Sequence, residues 1–372
     1  MDPAAGINAE LVRVILLRLP LRSLFRMKCV SREWNSLVSD PSFAWDYRTV
    51  APPPFAGYVL QADENPAYGQ LRFVAASDGF KHPNPVHSFD RKRCRSAPCK
   101  VTILASSGGL LLCSKKSHSY FVCEPLTRRW RGLPPPPDRP PSLEVGFLHR
   151  EDPPLRPRSA SSPPIRSYRV VRLFYHSPTA MAVETYSSET GEWMASVVPS
   201  HQPYSSFRMW PGNAAVAVGA TLHWLAIQFE VLTYDADEGS VGWVKLPPAE
   251  DGQMGMSLAV AGGRLSCCYK DKLGFDLWLL EDTAGSGRWE HRHRVQLCNV
   301  EGEAWEEDDR CPRDTYVRGF HPEDHRVAVL DGPSKLLEYD LVGGTTRVLR
   351  DTNEWQHQVL PYFLPSWYFL GV

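Results

Sequence analysis

At 372 residues, 43% of them hydrophobic and 22% charged, the chain has the balance of a folded globular protein and room for a small unit plus one large domain. A formal net charge of −1 supplies no global field toward nucleic acid or an anionic membrane, so neither is expected as a partner and binding has to come from local surfaces. No stretch reaches the roughly 18 apolar residues of a membrane span, and Glu10, Arg13 and Arg18 break the only run that would suit a leader peptide. The expected location is therefore the cytoplasm, the nucleus or both, and the nine irregularly spaced cysteines are expected to be free thiols.

The first element is a helix over residues 8–19. Leu11, Ile15 and Leu19 fall on one stripe, which Val12 and Leu16 widen. Asn8 suits the N-cap, Glu10 lies in the first turn where the helix dipole favours it, and Pro20 stops the helix. Leu21, Leu24, Phe25 and Cys29 mark a second short helix. Ser31 caps a third, which carries Trp34, Leu37 and Val38 and ends before Asp40-Pro41. Three short helices have too much surface for their volume to bury this much Leu, Ile and Trp among themselves. The leftover apolar face calls for a partner.

The stretches Ile7 to Leu11, Ile15 to Leu21, Leu24, Val30 to Trp34 and Ser39 to Phe43 together resemble an F-box of the plant type, with every spacing kept over about 37 residues. The resemblance implies contact with a Skp-family adaptor, and through it a cullin. By position it assigns that contact to Leu11, Ile15, Leu16, Leu19, Pro20, Leu21, Leu24, Val30 and Trp34, some of which must instead hold the helices together, since a helix has one stripe per face. The chain departs from the pattern in having Ile7-Asn8 where many F-boxes have Leu-Pro, and Val14 where an acidic residue is common.

Beyond residue 50 short β-branched and aromatic runs recur between Gly, Pro, Asp and Ser. A strand, a polar turn with Thr or Gly, and a strand opening on Trp repeat at Tyr120 to Trp130, Val183 to Trp193, Val231 to Trp243 and Leu277 to Trp289. A fifth copy, Leu336 to Val348, has Val in place of Trp. A glycine turn and an apolar strand precede most copies, as at Gly108 to Cys113, Gly219 to Leu225 and Gly262 to Cys268; His321 to Val329 holds that place before the last. The tryptophans step by 63, 50 and 46 residues. Propeller blades of the kelch and WD40 kinds repeat about every 40–50 residues. One further blade fits before Lys100, around Tyr58 to Leu60 and Leu71 to Val74, and Tyr362 to Tyr368 would complete it and close the ring. These repeats resemble the kelch-like F-box-associated region of plant F-box proteins.

The expected architecture is a multidomain α+β chain: a three-helix F-box at residues 1–46, then an all-β propeller of about six blades (seven being allowed) at residues 51–372. Two packed sheets are the structural alternative. Eleven of the 33 prolines lie between Leu133 and Ile165, which reads as an inter-blade insertion over about residues 134–164.

The basic run Arg91 to Arg95 is matched by the acidic Glu306 to Asp309 and reads as a solvated loop. Cys94 and Cys99, the Cys267-Cys268 pair and the His321/His325 pair lack a full metal-ligand set, so no metal or cofactor is expected. No nucleophile elbow, phosphate loop or dinucleotide fingerprint occurs. The resemblance thus implies a non-catalytic subunit that selects an unidentified target for an SCF-type (Skp-cullin-F-box) ubiquitin ligase. The alternatives are an adaptor-binding protein outside a working ligase, or a propeller-type sugar-binding protein or hydrolase.

Overall fold

A computed structural model describes residues 9–19, 21–40, 42–43, 46–47, 55–62, 71–76, 84–90, 101–115, 119–137, 144–150, 167–177, 179–199, 215–226, 230–248, 255–281, 287–297, 315–332, 335–351 and 356–364. Two compact units divide it: one runs from the N-terminal helices to Ala56, and the other comprises Gly57–Arg150 with Ser167–Tyr362. No helix of the described residues is long and apolar enough to cross a membrane.

The larger unit is a six-bladed propeller, which excludes the alternative of two packed sheets. Strands β1 (Phe55–Ala62) and β2 (Leu71–Ala75) share a three-stranded sheet with the last strand, β23 (Gln356–Phe363). The second sheet holds β3 (Thr102–Ser107), β4 (Leu110–Ser114), β5 (Tyr120–Glu124) and β6 (Arg129–Gly132). The third holds β7 (Glu144–Arg150), β8 (Ser167–Ser177), β9 (Ala180–Ser187) and β10 (Glu192–Pro199). The fourth is β11 (Val216–Val218), β12 (Thr221–Ala226), β13 (Glu230–Asp235) and β14 (Ser240–Lys245). The fifth is β15 (Gly255–Ala261), β16 (Arg264–Lys270), β17 (Gly274–Leu280) and β18 (Trp289–Gln296), and the sixth is β19 (Tyr316–Phe320), β20 (Val327–Asp331), β21 (Lys335–Asp340) and β22 (Thr346–Asp351). Each four-stranded sheet is an antiparallel meander in chain order, and the first strands β3, β7, β11, β15 and β19 adjoin one another in succession.

The core lies in the seams between sheets. Sheets two and three enclose Leu112, Tyr120, Val122, Phe147, Val170 and Tyr186. Leu173, Val183, Leu222, Trp224 and Leu232 fill the next seam, and Phe275, Leu277, Phe320, Leu330 and Leu337 fill the one between sheets five and six. Because side chains alternate across a strand, adjacent residues serve different seams. Cys267 packs with Leu225 and Val231 on one side of sheet five, while Cys268 packs with Phe275 and Leu330 on the other. Inside the third sheet Arg172 and Glu184 form a fully buried ion pair, with the Arg172 guanidinium 5.9 Å from the Tyr120 and Phe174 rings.

The repeating turn has a local cause. Gly191, Gly239 and Gly344 adopt φ of 75°, 66° and 65°, and each donates its N–H to the carbonyl four residues earlier, on Ser187, Asp235 and Asp340, at 2.9 Å. The Asp235 and Asp340 carboxylates also accept from two N–H groups inside their own turns. This is why a short polar residue begins the turn and a glycine ends it. Arg128, at φ 55°, takes the glycine's place in the second sheet.

The tryptophans that follow these turns all stand on outermost strands: Trp130 on β6, Trp193 on β10, Trp243 on β14 and Trp289 on β18, with Val348 on β22. Two of them clip neighbouring sheets together. The Trp193 indole N–H donates to the carbonyl of Pro134, just past β6, at 2.8 Å, and the Trp289 indole donates to that of Lys245, at the end of β14, at 2.7 Å. The recurrent Trp is thus a packing device between blades.

Two expectations need correction. The proline-rich segment is not loop throughout, because Glu144–Arg150 forms β7, the first strand of the third sheet. Val145 and Phe147 pack into the core there, in a proline-free stretch between two proline clusters that hid it. The strand that completes the first sheet ends at Phe363, so it lies mostly upstream of the segment assigned to that role. Asn8, Pro20, Arg91 to Arg95, Cys99 and Glu306 to Asp309 lie outside the described residues.

Two outcomes follow. Trp289→Phe, which keeps a ring but removes the indole donor, should lower the propeller's unfolding free energy by about 1 kcal/mol, measured by denaturant unfolding beside wild type. Among the described cysteines all five are free thiols; Cys29 is exposed while Cys113, Cys123, Cys267 and Cys268 are buried. Burial pushes the thiols of Cys113, Cys267 and Cys268 up in pKa, suppressing the reactive thiolate. Iodoacetamide on native protein at pH 8 should modify Cys29 on the order of a hundred times faster than the four buried thiols, and denaturation should abolish the difference.

Candidate functional site: the exposed face of the N-terminal helices

Helix α1 (Ala9–Leu17), α2 (Leu21–Lys28) and α3 (Arg32–Ser39) make the N-terminal unit. Ser31 caps α3, its hydroxyl accepting from the Trp34 N–H at 3.1 Å, in line with the expected third helix. Arg26 and Lys28 sit in the last turn of α2, where the helix dipole favours cations.

Chain beyond α3 folds back over these helices. Asp40 accepts from the Ser42 N–H at 2.7 Å, and its hydrogen bonds with Ser42 hold its carboxyl below the usual range. The Tyr47 hydroxyl donates to the Leu19 carbonyl at 2.9 Å. Arg13 reaches Asp46 at 2.5 Å and lies 5.5 Å above the Phe43 ring. Both charged partners keep solvent access, so this pair contributes modestly, within about 1 kcal/mol.

Helix α1 has two apolar faces at about 100° per residue. Val12 and Leu16 point into a core with Leu24, Val38, Phe43 and Tyr47, against which Leu17, Leu19, Met27, Trp34 and Leu37 pack. Leu11, Val14 and Ile15 point away from it and are 54%, 44% and 47% exposed. Val30, in the turn between α2 and α3, is 56% exposed. The stripe that Val12 and Leu16 were expected to widen is therefore split into a buried face and an open one.

The nine expected contact residues divide accordingly. Leu11, Ile15 and Val30 lie on the surface; Leu16 and Leu24 are fully buried in the unit's own core; Leu19 and Trp34 are half-buried against it. Pro20 and the Leu21 side chain lie outside the described residues. Val14 was missed as a surface residue. Its signal was present in the spacing, since it stands three positions after Leu11 on the same face.

Comparison with known proteins agrees with this two-part geometry. Residues 7–46 match the F-box domain, and residues 80–304 match the family described as F-box protein At3g26010-like, beta-propeller. The chain belongs to this family of F-box proteins with a β-propeller. Among similar Arabidopsis thaliana proteins, F-box protein At5g03970 is 23% identical over 95% of this chain and 86% of its own length. The F-box/kelch-repeat protein At1g15680 is 24% identical over 88% and 79%. F-box protein At3g26010 itself is 29% identical over 51% of this chain and 42% of its own. Among solved structures, YCF48 bound to D1 peptide covers 84% of this chain and 93% of its own at 11% identity, with a TM-score of 0.39.

Leu16→Ala should destabilise the N-terminal unit by about 2–5 kcal/mol through a cavity, whereas Leu11→Ala should cost about 0.5 kcal/mol or less. Hydrogen exchange of the α1–α3 amides reads this local change apart from the propeller's own stability.

Proposed function

We propose that this chain is the substrate-recognition subunit of an SCF-type ubiquitin ligase. In this reading the N-terminal helices dock on a Skp-family adaptor, and through it a cullin, while the propeller holds a target protein. The supporting observation is the open apolar face of Leu11, Val14 and Ile15 on α1, together with the exposed Val30 between α2 and α3, on a unit matched to the F-box domain. Such a patch on a small helical unit is suited to burial by a partner. Leu16, Leu24 and Trp34 would act indirectly, by holding α1 and the α2–α3 turn in place.

No residue of this chain has to react. A receptor accelerates ubiquitin transfer by fixing the target near a charged enzyme and so raising its effective concentration. Two binding modules on one chain suit that task. The chain would work in the cytoplasm, the nucleus or both.

The test is capture of a recombinant Skp-family adaptor and cullin by the full chain. Leu11→Asp combined with Ile15→Asp should weaken adaptor capture by at least about tenfold, since each places a charge in a contact that must be dehydrated. Exchange protection of α1 should be unchanged. Undiminished capture by the folded double variant would sink this docking face, and adaptor capture without cullin would remove the ligase assignment.

A further inference from the structure

Each outer strand turns one row of backbone groups away from its own sheet, and most of these edges are guarded by charge. β6 carries Arg129 and Arg131, β18 carries Glu290, Arg292 and Arg294, and β22 carries Arg347, Arg350 and Asp351. β14 ends on Lys245 and has Gly242 inside it, which weakens a strand. Guarded edges of these kinds keep strands of separate molecules from pairing. β10 has no such guard. It reads Glu-Trp-Met-Ala-Ser-Val-Val-Pro, and its one ionisable side chain is Glu192 at the start.

The strand is also regular and open. Its ladder with β9 runs from Glu192 opposite Ser187 to Pro199 opposite Ala180 without a shift of register. β10 is the last strand of the third sheet, and among the described residues no strand pairs with its outer edge. Trp193 packs toward the second sheet and Val198 into the seam with the fourth, so the strand is held near both ends. Between them Met194, Ala195, Ser196 and Val197 are all exposed, Met194 at 63% and Val197 at 53%. A pre-ordered, uncharged edge with two open apolar side chains is a template for another strand.

We propose that β10 pairs antiparallel with β10 of a second copy of this chain, joining two third sheets across a two-fold axis. The order of residues along the strand suits its own copy. Outward-facing N–H and C=O groups belong to alternate residues, so identical strands can pair only about a residue and not between two. Placed about Ala195, the register sets Trp193 opposite Val197, Met194 opposite Ser196 and Glu192 opposite Val198 of the copy. Small residues meet at the axis, an aromatic meets a β-branched residue on each side, and no two like charges are opposed. Pro199, which has no N–H to give, falls outside the ladder. Each contact occurs twice, once from each copy, as an isologous interface requires. The pairing goes beyond the receptor reading and does not depend on it.

The test is sedimentation velocity of the full chain over about 1 to 100 µM, since a single strand pair is at the small end of specific interfaces and should exchange with monomer in that range. Wild type should shift from monomer to dimer. Met194→Glu combined with Ser196→Glu sets like charges opposite each other in the register about Ala195, and should weaken self-association by at least about tenfold. Met194→Lys combined with Ser196→Lys should do the same. An equimolar mixture of the two double variants should dimerise again, because each Lys then meets a Glu. Both positions are exposed, so thermal melts of the separate variants should match that of wild type.

A wild type that stays monomeric throughout overturns the proposal and leaves the edge to a foreign strand. Double variants that self-associate like wild type, a mixture that remains monomeric, or growth of wild type past the dimer into larger species each overturn it as well.

Discussion

Closure of the ring is the constraint on which the propeller depends. A twisted four-stranded sheet cannot bury both faces by itself, and every seam requires a neighbour on each side. The chain meets this by pairing its last strand with its first, and the closing sheet is tied to both of its neighbours. Toward the second sheet, the Gln61 side chain accepts from the Ile103 N–H at 2.9 Å. Toward the sixth, the Tyr58 hydroxyl donates to Glu338 at 3.1 Å across 280 residues of sequence, and Arg347 binds the same carboxylate at 2.7 Å and the Ala76 carbonyl at 2.8 Å. Burial, and next the Glu338 charge, push the Tyr58 pKa up, so this hydroxyl stays a donor. Such contacts form only after most of the chain is in place, and the loop-closure entropy they must overcome makes the fold slow to assemble.

The same closure divides the residues by task. Strand interiors are committed to seams, as the alternation of Cys267 and Cys268 between two cores shows. Outer-strand tryptophans are committed to neighbouring blades, as the indole bonds of Trp193 and Trp289 show. What remains available for contact is the outer edge of each sheet, with the ends of the strands and their connections. Along β10 that edge is exposed from Met194 to Val197 while Trp193 and Val198 hold the strand in place. A strand already set in its ladder loses little conformational entropy on pairing.

Much of this was legible in the sequence, for identifiable reasons. Turn chemistry repeats because a residue at positive φ has to end each third-to-fourth-strand turn, and Gly191, Gly239 and Gly344 record that requirement in the letters themselves. The tryptophan step records blade length for the same reason. Strand β7 was obscured because its neighbours are prolines, whose signal for loop outweighs seven residues of modest alternation. The open edge of β10 was not legible at all. Met194 to Val198 read like the letters of a buried strand, and only the order of strands in the sheet places them at its rim. The two-faced character of α1 lay between these cases. Periodicity locates Leu11, Val12, Val14, Ile15 and Leu16 on apolar faces, but the choice of which face is buried depends on Leu24, Val38, Phe43 and Tyr47, contributed by later segments.

That choice has a thermodynamic consequence for the N-terminal unit. Its described core is Val12, Leu16, Leu24, Val38, Phe43 and Tyr47, a small interior for three helices of eight or nine residues each. Helices this short have little stability of their own, and so small a unit is correspondingly marginal. A partner that buries Leu11, Val14, Ile15 and Val30 binds the folded arrangement and not the unfolded one. Linkage then stabilises the unit by about 2.7 kcal/mol when the partner is at a hundred times its dissociation constant. Under the proposed docking, partner binding and folding of these helices would be one coupled equilibrium. A substitution in the buried face, such as at Leu16, would then weaken capture by lowering the population of the competent state. A substitution in the open face would weaken capture directly and leave that population alone. The same loss of partner can thus arise from either side of one helix, and exchange protection of α1 in the absence of partner is the quantity that separates them.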